Sequence, residues 1–386
     1  MRYAARRVAQ MPPTIFAEMT ALAQRHQAIN LGQGFPDFSA PDDIKQAAMR
    51  AIAADCNQYA PGAGVSALRQ ALAGYYRRHY RLDFDPESEI LACVGATEAI
   101  FAAMLGLLDP GDEVILFDPA YDSYRPAIAF AGGIARSLVL RPPDWRLAPE
   151  RLEALVTPRT RMLLLNSPHN PTGKVFSREE LELLAAFCRR YDLLVVTDEV
   201  YEHLCYDGAR HLPLASLPGM AERVLTVSSL GKSFSVTGWK VGWAVGPAPL
   251  VDAVHKAKQF ATFCGATPLQ TAAAEALAVE DDYYRQLAED YRRRRDFLCQ
   301  ALAAAGLKPF VPAGTYFVMA DISASGFIDD RDFCRALPEK AGVAAIPASP
   351  FYADPEAGRR LVRFTFCKSW PLLEEAATRL RRYFAA

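Results

Sequence analysis

Lys232 stands in Ser228-Ser229-Leu230-Gly231-Lys232-Ser233-Phe234, a turn of small residues, and Lys240 follows it eight positions later. A lysine amine attacks a carbonyl carbon only after losing its proton, and a tight, partly desolvated turn beside another cation favours that loss. The chemistry on offer is Schiff-base formation. A lone Ser-x-x-Gly-Lys turn is more often a solvated surface lysine, so its neighbours must decide. Three other segments carry suitable groups. Asn166-Ser-Pro-His-Asn170-Pro-Thr-Gly is a loop stiffened by proline and glycine that presents amide side chains. Asp198-Glu-Val-Tyr201 places an acid and a phenol three positions apart. Gly95-Ala96-Thr97 follows the apolar run Ile90 to Val94 and opens a helical pattern, so free N–H groups and a positive helix end would meet an anion there. Ser229 and Lys240 add a hydroxyl and a charge.

These groups share a register in the chain. Strand-like runs at Glu113 to Phe117, Arg161 to Asn166, Leu193 to Thr197 and Val224 to Ser228 alternate with helical patterns between about residues 88 and 245. That alternation predicts an α/β fold with a parallel sheet covered by helices on both faces. Asn166, Asp198 and the Lys232 turn each follow a strand, and ligands of open parallel sheets collect beyond the carboxyl ends of strands. Singly, Asp198 reads as a helix cap, Tyr201 as a core aromatic and Asn170 as an Asx turn. Jointly they offer a carboxylate, a phenol, an amide and an amine, a set suited to a pyridinium nitrogen, a ring oxygen and an aldehyde carbon.

Ser177 and Glu180 predict a capping box at the start of a helix with Leu181, Leu184, Ala185 and Cys188 on one face. Beyond residue 270 long helices are followed by strands at Gly314 to Asp321 and Leu361 to Phe366, which predicts a smaller α+β domain. A chain of 386 residues suits two domains, one of them built from both termini. The formal charge of −1 with interspersed signs gives no footprint for nucleic acid. Arg292 to Arg295 reads as a solvated helix face. Eight scattered cysteines and six histidines lack the spacing of a metal or redox motif, so no metal site is expected and reduced thiols in a cytoplasmic protein fit best. No run is long and apolar enough to span a membrane. Gly32-Gln33-Gly34-Phe35-Pro36 lacks the third glycine of a dinucleotide fingerprint and runs into proline, which excludes a nicotinamide-dependent dehydrogenase.

The motifs NLGQGFPDF, NQYAPGAGVSALR, GATEAIF, NSPHNPTGKV, TDEVYEHL, SSLGKSFSVTGWKVGW and VRFTF occur in one order that resembles the class I aminotransferases, fold type I pyridoxal-phosphate enzymes. The likeness is greatest to the methionine aminotransferases and the kynurenine aminotransferase–glutamine transaminase group. It implies a large domain, residues 40–285, with a mostly parallel seven-stranded sheet between helices, and a small domain from residues 1–39 and 286–386. It implies that Lys232 carries pyridoxal 5′-phosphate, that Asp198 pairs with the ring nitrogen, and that Tyr201 and Asn170 hydrogen-bond the ring oxygen. Tyr121 would stack on the ring. Gly95, Ala96, Thr97, Ser229 and Lys240 would surround the phosphate, with Tyr59 reaching it from the second subunit of a homodimer. Lys240 takes the place of the arginine of aspartate aminotransferases, as is usual in the kynurenine-type group. Arg363, helped by Gly34 and Asn170, would grip the substrate α-carboxylate.

The implied reaction is ping-pong transfer of an amino group from an amino acid to a 2-oxo acid. No second arginine is available for a side-chain carboxylate, which favours neutral, large donors, with Ile15, Phe16, Tyr59, Phe263 and Phe351 as candidate pocket lining. The same groups suit a cysteine-S-conjugate β-lyase. A pyridoxal-phosphate-sensing regulator is the non-enzyme alternative, and it would need a nucleic-acid-binding module for which the stretch before Asn30 has no room.

Overall fold

The computed structural model describes residues 3–9, 11 and 14–385. Its centre is a seven-stranded sheet of β1 (Ile90–Val94), β2 (Glu113–Asp118), β3 (Ile134–Val139), β4 (Thr160–Asn166), β5 (Leu194–Asp198), β6 (Val224–Ser229) and β7 (Val241–Val245), in the spatial order β1-β7-β6-β5-β4-β2-β3. β7 runs against both of its neighbours, and the remaining pairings are parallel. The strands read from the sequence recur with ends shifted by about one residue. β3 was not legible, because Ile134-Ala-Arg-Ser-Leu-Val is an edge strand with a half-exposed face and no continuous apolar run.

The central strands are mostly apolar because successive side chains feed opposite buried faces, with the polar residues Asn166, Asp198 and Ser229 at their carboxyl ends. Leu163, Leu165 and Val195 join one buried cluster, whereas Met162, Leu164 and Val196 join another under the helices Gly95–Leu107 and Ala248–Lys258. Ser177 accepts from the Glu180 backbone N–H at 3.2 Å while Glu180 reaches back to the Ser177 N–H at 3.0 Å, the reciprocal cap that the sequence predicts.

A second sheet, antiparallel, is ordered Ile346–Pro347, Leu361–Thr365, Phe317–Asp321, Lys308–Phe310. The amino-terminal Ile29–Asn30 pairs with Val343–Ala344, and the Thr365 N–H donates to the Leu31 carbonyl at 2.7 Å. These contacts bring the Gly32–Gly34 turn beside Arg363. The helix Asp281–Ala304 crosses residue 285, and the first core cluster holds both Val195 of the large sheet and Val318 and Phe364 of the small one. The two sheets thus share packed apolar contacts along the seam where the site lies.

The reading of Arg292 to Arg295 as a solvated face needs correction. Arg292 and Arg293 do face outward, but Arg294 and Arg295 are buried. Four consecutive residues span more than one turn of helix, so they cannot share a face. Arg294 lies over the Phe38 and Trp370 rings, and Arg295 donates to Asp207 and to the Pro312 carbonyl. Among the described residues no helix is long and apolar enough to cross a membrane.

Candidate active site

The carboxyl ends of β4, β5 and β6 open on a cavity with about 340 Å³ of room. Gly34, Gly95, Ala96, Thr97, Tyr121, Asn170, Asp198, Tyr201, Ser229, Lys232, Lys240 and Arg363 all line it. Tyr59 stands outside, 85% exposed, with its ring edge-on to Phe263 at 5.6 Å. Of the five candidate pocket residues only Phe16 lines the cavity. Ile15 and Phe351 are buried in the first core cluster, and Phe263 is surface-exposed beside Tyr59.

Lys232 sits in the one-turn helix Leu230–Ser233 directly after β6. Gly231 is needed there, since a Cβ on it would lie 3.1 Å from the Thr237 Cα. No hydrogen bond or ion pair holds Lys232 Nζ among the described residues; the Tyr201 and Tyr316 rings lie 5.7 Å away. Burial pushes its amine down to about 8, with Lys240 and Arg363 acting in the same direction and Cys367 and Asp198 opposing. A lysine so placed is partly neutral near pH 8, as a nucleophile or base must be.

Asp198, the last residue of β5, is 5% exposed. Its carboxylate accepts from the Tyr124 hydroxyl at 2.6 Å and from the Val200 N–H at 3.3 Å, and it makes no ion pair among the described residues. Burial raises its carboxyl above the usual range, with those two hydrogen bonds opposing. A protonated ring nitrogen placed against it would supply the missing positive partner. Asn166, opposite Asp198 in the β4–β5 register, donates to the Asp198 carbonyl at 2.8 Å and accepts from the Asn170 N–H at 2.7 Å. Tyr124 was missed by the sequence reading, and Asn166 was read only as the start of an amide-bearing loop, with no partner assigned to it. The chain gives no local sign that either will face Asp198; only the strand register does.

Arg363 is 1% exposed, and burial pushes it down to about 10. It donates to Asn170 Oδ1 at 3.0 Å and to the Gly32 carbonyl at 2.8 Å, and its plane lies 4.0 Å from the Phe317 ring centroid. Among the described residues its Nε has no partner, a buried donor free for an anion. Elsewhere on the cavity wall Gly95, at φ +78°, opens the helix Gly95–Leu107, and a Cβ there would lie 2.9 Å from Lys240 Nζ. A Cβ on Gly242 of β7 would come within 2.5 Å of the Gly95 carbonyl carbon, so two glycines create this cradle. The cradle joins a helix amino end, the Ser229 hydroxyl and the Lys240 cation, a donor set that fits a phosphate.

The family model for aminotransferase class I and II matches residues 26–380. The chain belongs to that family. It is 52% identical, over 95% of its own length and 95% of the relative's, to the probable N-succinyldiaminopimelate aminotransferase DapC of Mycobacterium tuberculosis. It is 44% identical to the methionine aminotransferase of Escherichia coli, over 97% and 96% of the two chains. The solved structure of N-succinyldiaminopimelate aminotransferase from Mycobacterium tuberculosis superposes with a TM-score of 0.96 at 50% identity, covering 98% of this chain and 100% of that one. Aminotransferases of this family use pyridoxal phosphate. The residues present fit that cofactor: an unpaired buried carboxylate for the ring nitrogen, a reactive amine for the aldehyde and a glycine-lined cradle for the phosphate.

Proposed function

We propose that this aminotransferase takes its amino group from a neutral L-amino acid with a large side chain, such as methionine, glutamine, kynurenine or an aromatic residue, and passes it to a 2-oxo acid by a ping-pong cycle through Lys232. One observation carries the choice of donor. The cations among the described lining residues are Lys232, Lys240 and Arg363, and the wall beside Arg363 is Phe16, Gln33 and Phe317. Each cation already has a task, which leaves none for a carboxylate on the donor's side chain.

Pyridoxal phosphate, when bound, supplies an aldehyde that condenses with amines and a ring that draws electrons from the donor's α carbon. The chain does the rest. Asp198 would keep a proton on the ring nitrogen, the Tyr201 hydroxyl and the Asn170 amide would hydrogen-bond the ring oxygen, and Tyr121 would cover a ring face. Gly95, Ala96, Thr97, Ser229 and Lys240 hold the phosphate, joined by Tyr59 of the partner subunit. Arg363, with Gly34 and Asn170, orients the α-carboxylate. Lys232 Nζ then takes the α proton as general base.

The same reading divides the chain into a large domain, residues 40–285, and a small one, residues 1–39 and 286–386, and makes it a cytoplasmic homodimer. Eight free cysteines, five of them buried, support a reducing compartment. The name of the Mycobacterium relative suggests a second donor, N-succinyldiaminopimelate, whose side chain ends in carboxylates that this neutral wall does not match. A panel of methionine, glutamine, phenylalanine, kynurenine, aspartate and N-succinyldiaminopimelate with one 2-oxo acid acceptor tests the choice. The neutral donors should have the higher kcat/KM, and a clear preference for aspartate or the succinylated donor would overturn it.

A further inference from the structure

One amide on the cavity wall has its orientation fixed by hydrogen bonds. Thr20 Oγ1 donates its only proton to the Phe16 carbonyl at 2.7 Å. That hydroxyl must therefore accept from Gln33, whose Nε2 lies 2.6 Å away and also reaches the Phe16 carbonyl at 3.4 Å. With its nitrogen committed to the helix Ile15–Arg25, Gln33 turns Oε1 the other way. No hydrogen bond among the described residues reaches Oε1, and Gln33 lines the cavity.

The flanking residues say which part of the substrate Gln33 would meet. The Gly32 carbonyl accepts from Arg363 at 2.8 Å, and the Gly34 carbonyl accepts from the Tyr316 hydroxyl at 2.6 Å. Gln33 is thus held between two residues whose carbonyls are fastened to Arg363 and Tyr316, next to the proposed anchor of the α-carboxylate. Phe16 and Phe317 line the same wall.

We infer that Gln33 selects among donors: its Oε1 accepts a hydrogen bond from an N–H group on the donor's side chain, whether a carboxamide, an arylamine or an acylated amine. This rests on the aminotransferase reading with Arg363 as the carboxylate anchor. An N–H group that enters an aromatic wall loses water and needs an acceptor in exchange, which Oε1 provides; a thioether carries no such proton and gains nothing from it.

Glutamine and methionine are close in length and differ in that N–H, so they form the test pair. kcat/KM for each is measured with wild type, Gln33→Leu and Thr20→Val, together with dissociation constants for α-methylglutamine and α-methylmethionine, which bind without an α proton to transfer. Gln33→Leu should lower the glutamine-to-methionine ratio about fivefold to tenfold, the worth of one neutral hydrogen bond, in kcat/KM and in binding alike, and through KM rather than kcat. Thr20→Val, which frees the amide to turn over, should lower it by less. Gln33→Met carries the same comparison if the leucine variant does not fold. A ratio within twofold of wild type in the Gln33 variant would overturn the inference, whereas a wild type that transaminates neither donor would overturn the donor reading beneath it.

Discussion

Burial sets the reactivity of the site one residue at a time. The Lys232 amine is pushed down to about 8 from an ordinary 10.5, so between those values the unfolded chain binds a proton that the cofactor-free fold does not. This group therefore weakens the cofactor-free fold below about pH 8, and the penalty fades as pH rises toward 10.5. Lys232→Met should accordingly be more stable than wild type at pH 7 in urea unfolding without cofactor, with the gap narrowing by pH 10; a gap independent of pH would contradict the burial argument. Tyr124→Phe removes the 2.6 Å hydrogen bond to Asp198. A hydrogen bond to a charged group is worth about 1.5–3 kcal/mol, so kcat/KM should fall about tenfold or more while the thermal midpoint moves little. Lys232 and Asp198 could be singled out because each lies inside a contiguous motif whose residue types suggest the chemistry, whereas Arg363 was pointed to by the family resemblance of its motif alone. Tyr124, the bond from Asn166 to Asp198 and the orientation of Gln33 were not legible, since each depends on a partner brought near only by folding.

Secondary elements place these groups by ending where the chemistry begins. β5 ends at Asp198, β6 runs into the Lys232 turn, and β1 gives way to the helix that opens at Gly95. The strands that were read from the sequence were readable as largely apolar runs, because a strand buried on both faces needs apolar side chains on each. β7 was not among them, since the short Val241-Gly-Trp-Ala-Val follows directly on the Lys232 motif, and its antiparallel direction has no mark in composition. Gly95 is the turning point of the proposed phosphate cradle. Gly95→Ala forces an alanine to φ +78° and sets its Cβ 2.9 Å from Lys240 Nζ, so the lysine must move. Left-handed backbone costs a non-glycine residue roughly 1–2 kcal/mol, and the variant should bind pyridoxal phosphate about tenfold more weakly with unchanged far-ultraviolet circular dichroism. Unaltered cofactor affinity would remove this turn from the phosphate site.

At the scale of the whole molecule, the seam between the two sheets encloses most of the site and leaves one proposed contributor outside it. Tyr59 and Phe263 form an exposed aromatic pair that a single chain does not bury. Aminotransferases of this family are generally dimeric. Sedimentation should find a species of twice the 42.5 kDa chain mass, and a monomer at every concentration would leave Tyr59 without the role given to it. The sequence made the α/β architecture readable through alternating strands and helices and led to the expectation of a small domain drawn from both termini, whereas the register that pairs Ile29–Asn30 with Val343–Ala344 was not legible in it. All of these scales converge on the Lys232 nitrogen. Reduction of the pyridoxal-phosphate-loaded protein with borohydride, followed by peptide mass analysis, tests that most directly. The account predicts the cofactor's added mass on the peptide containing Lys232 and on no other; its appearance on Lys240 or elsewhere, with Lys232 unmodified, would contradict it.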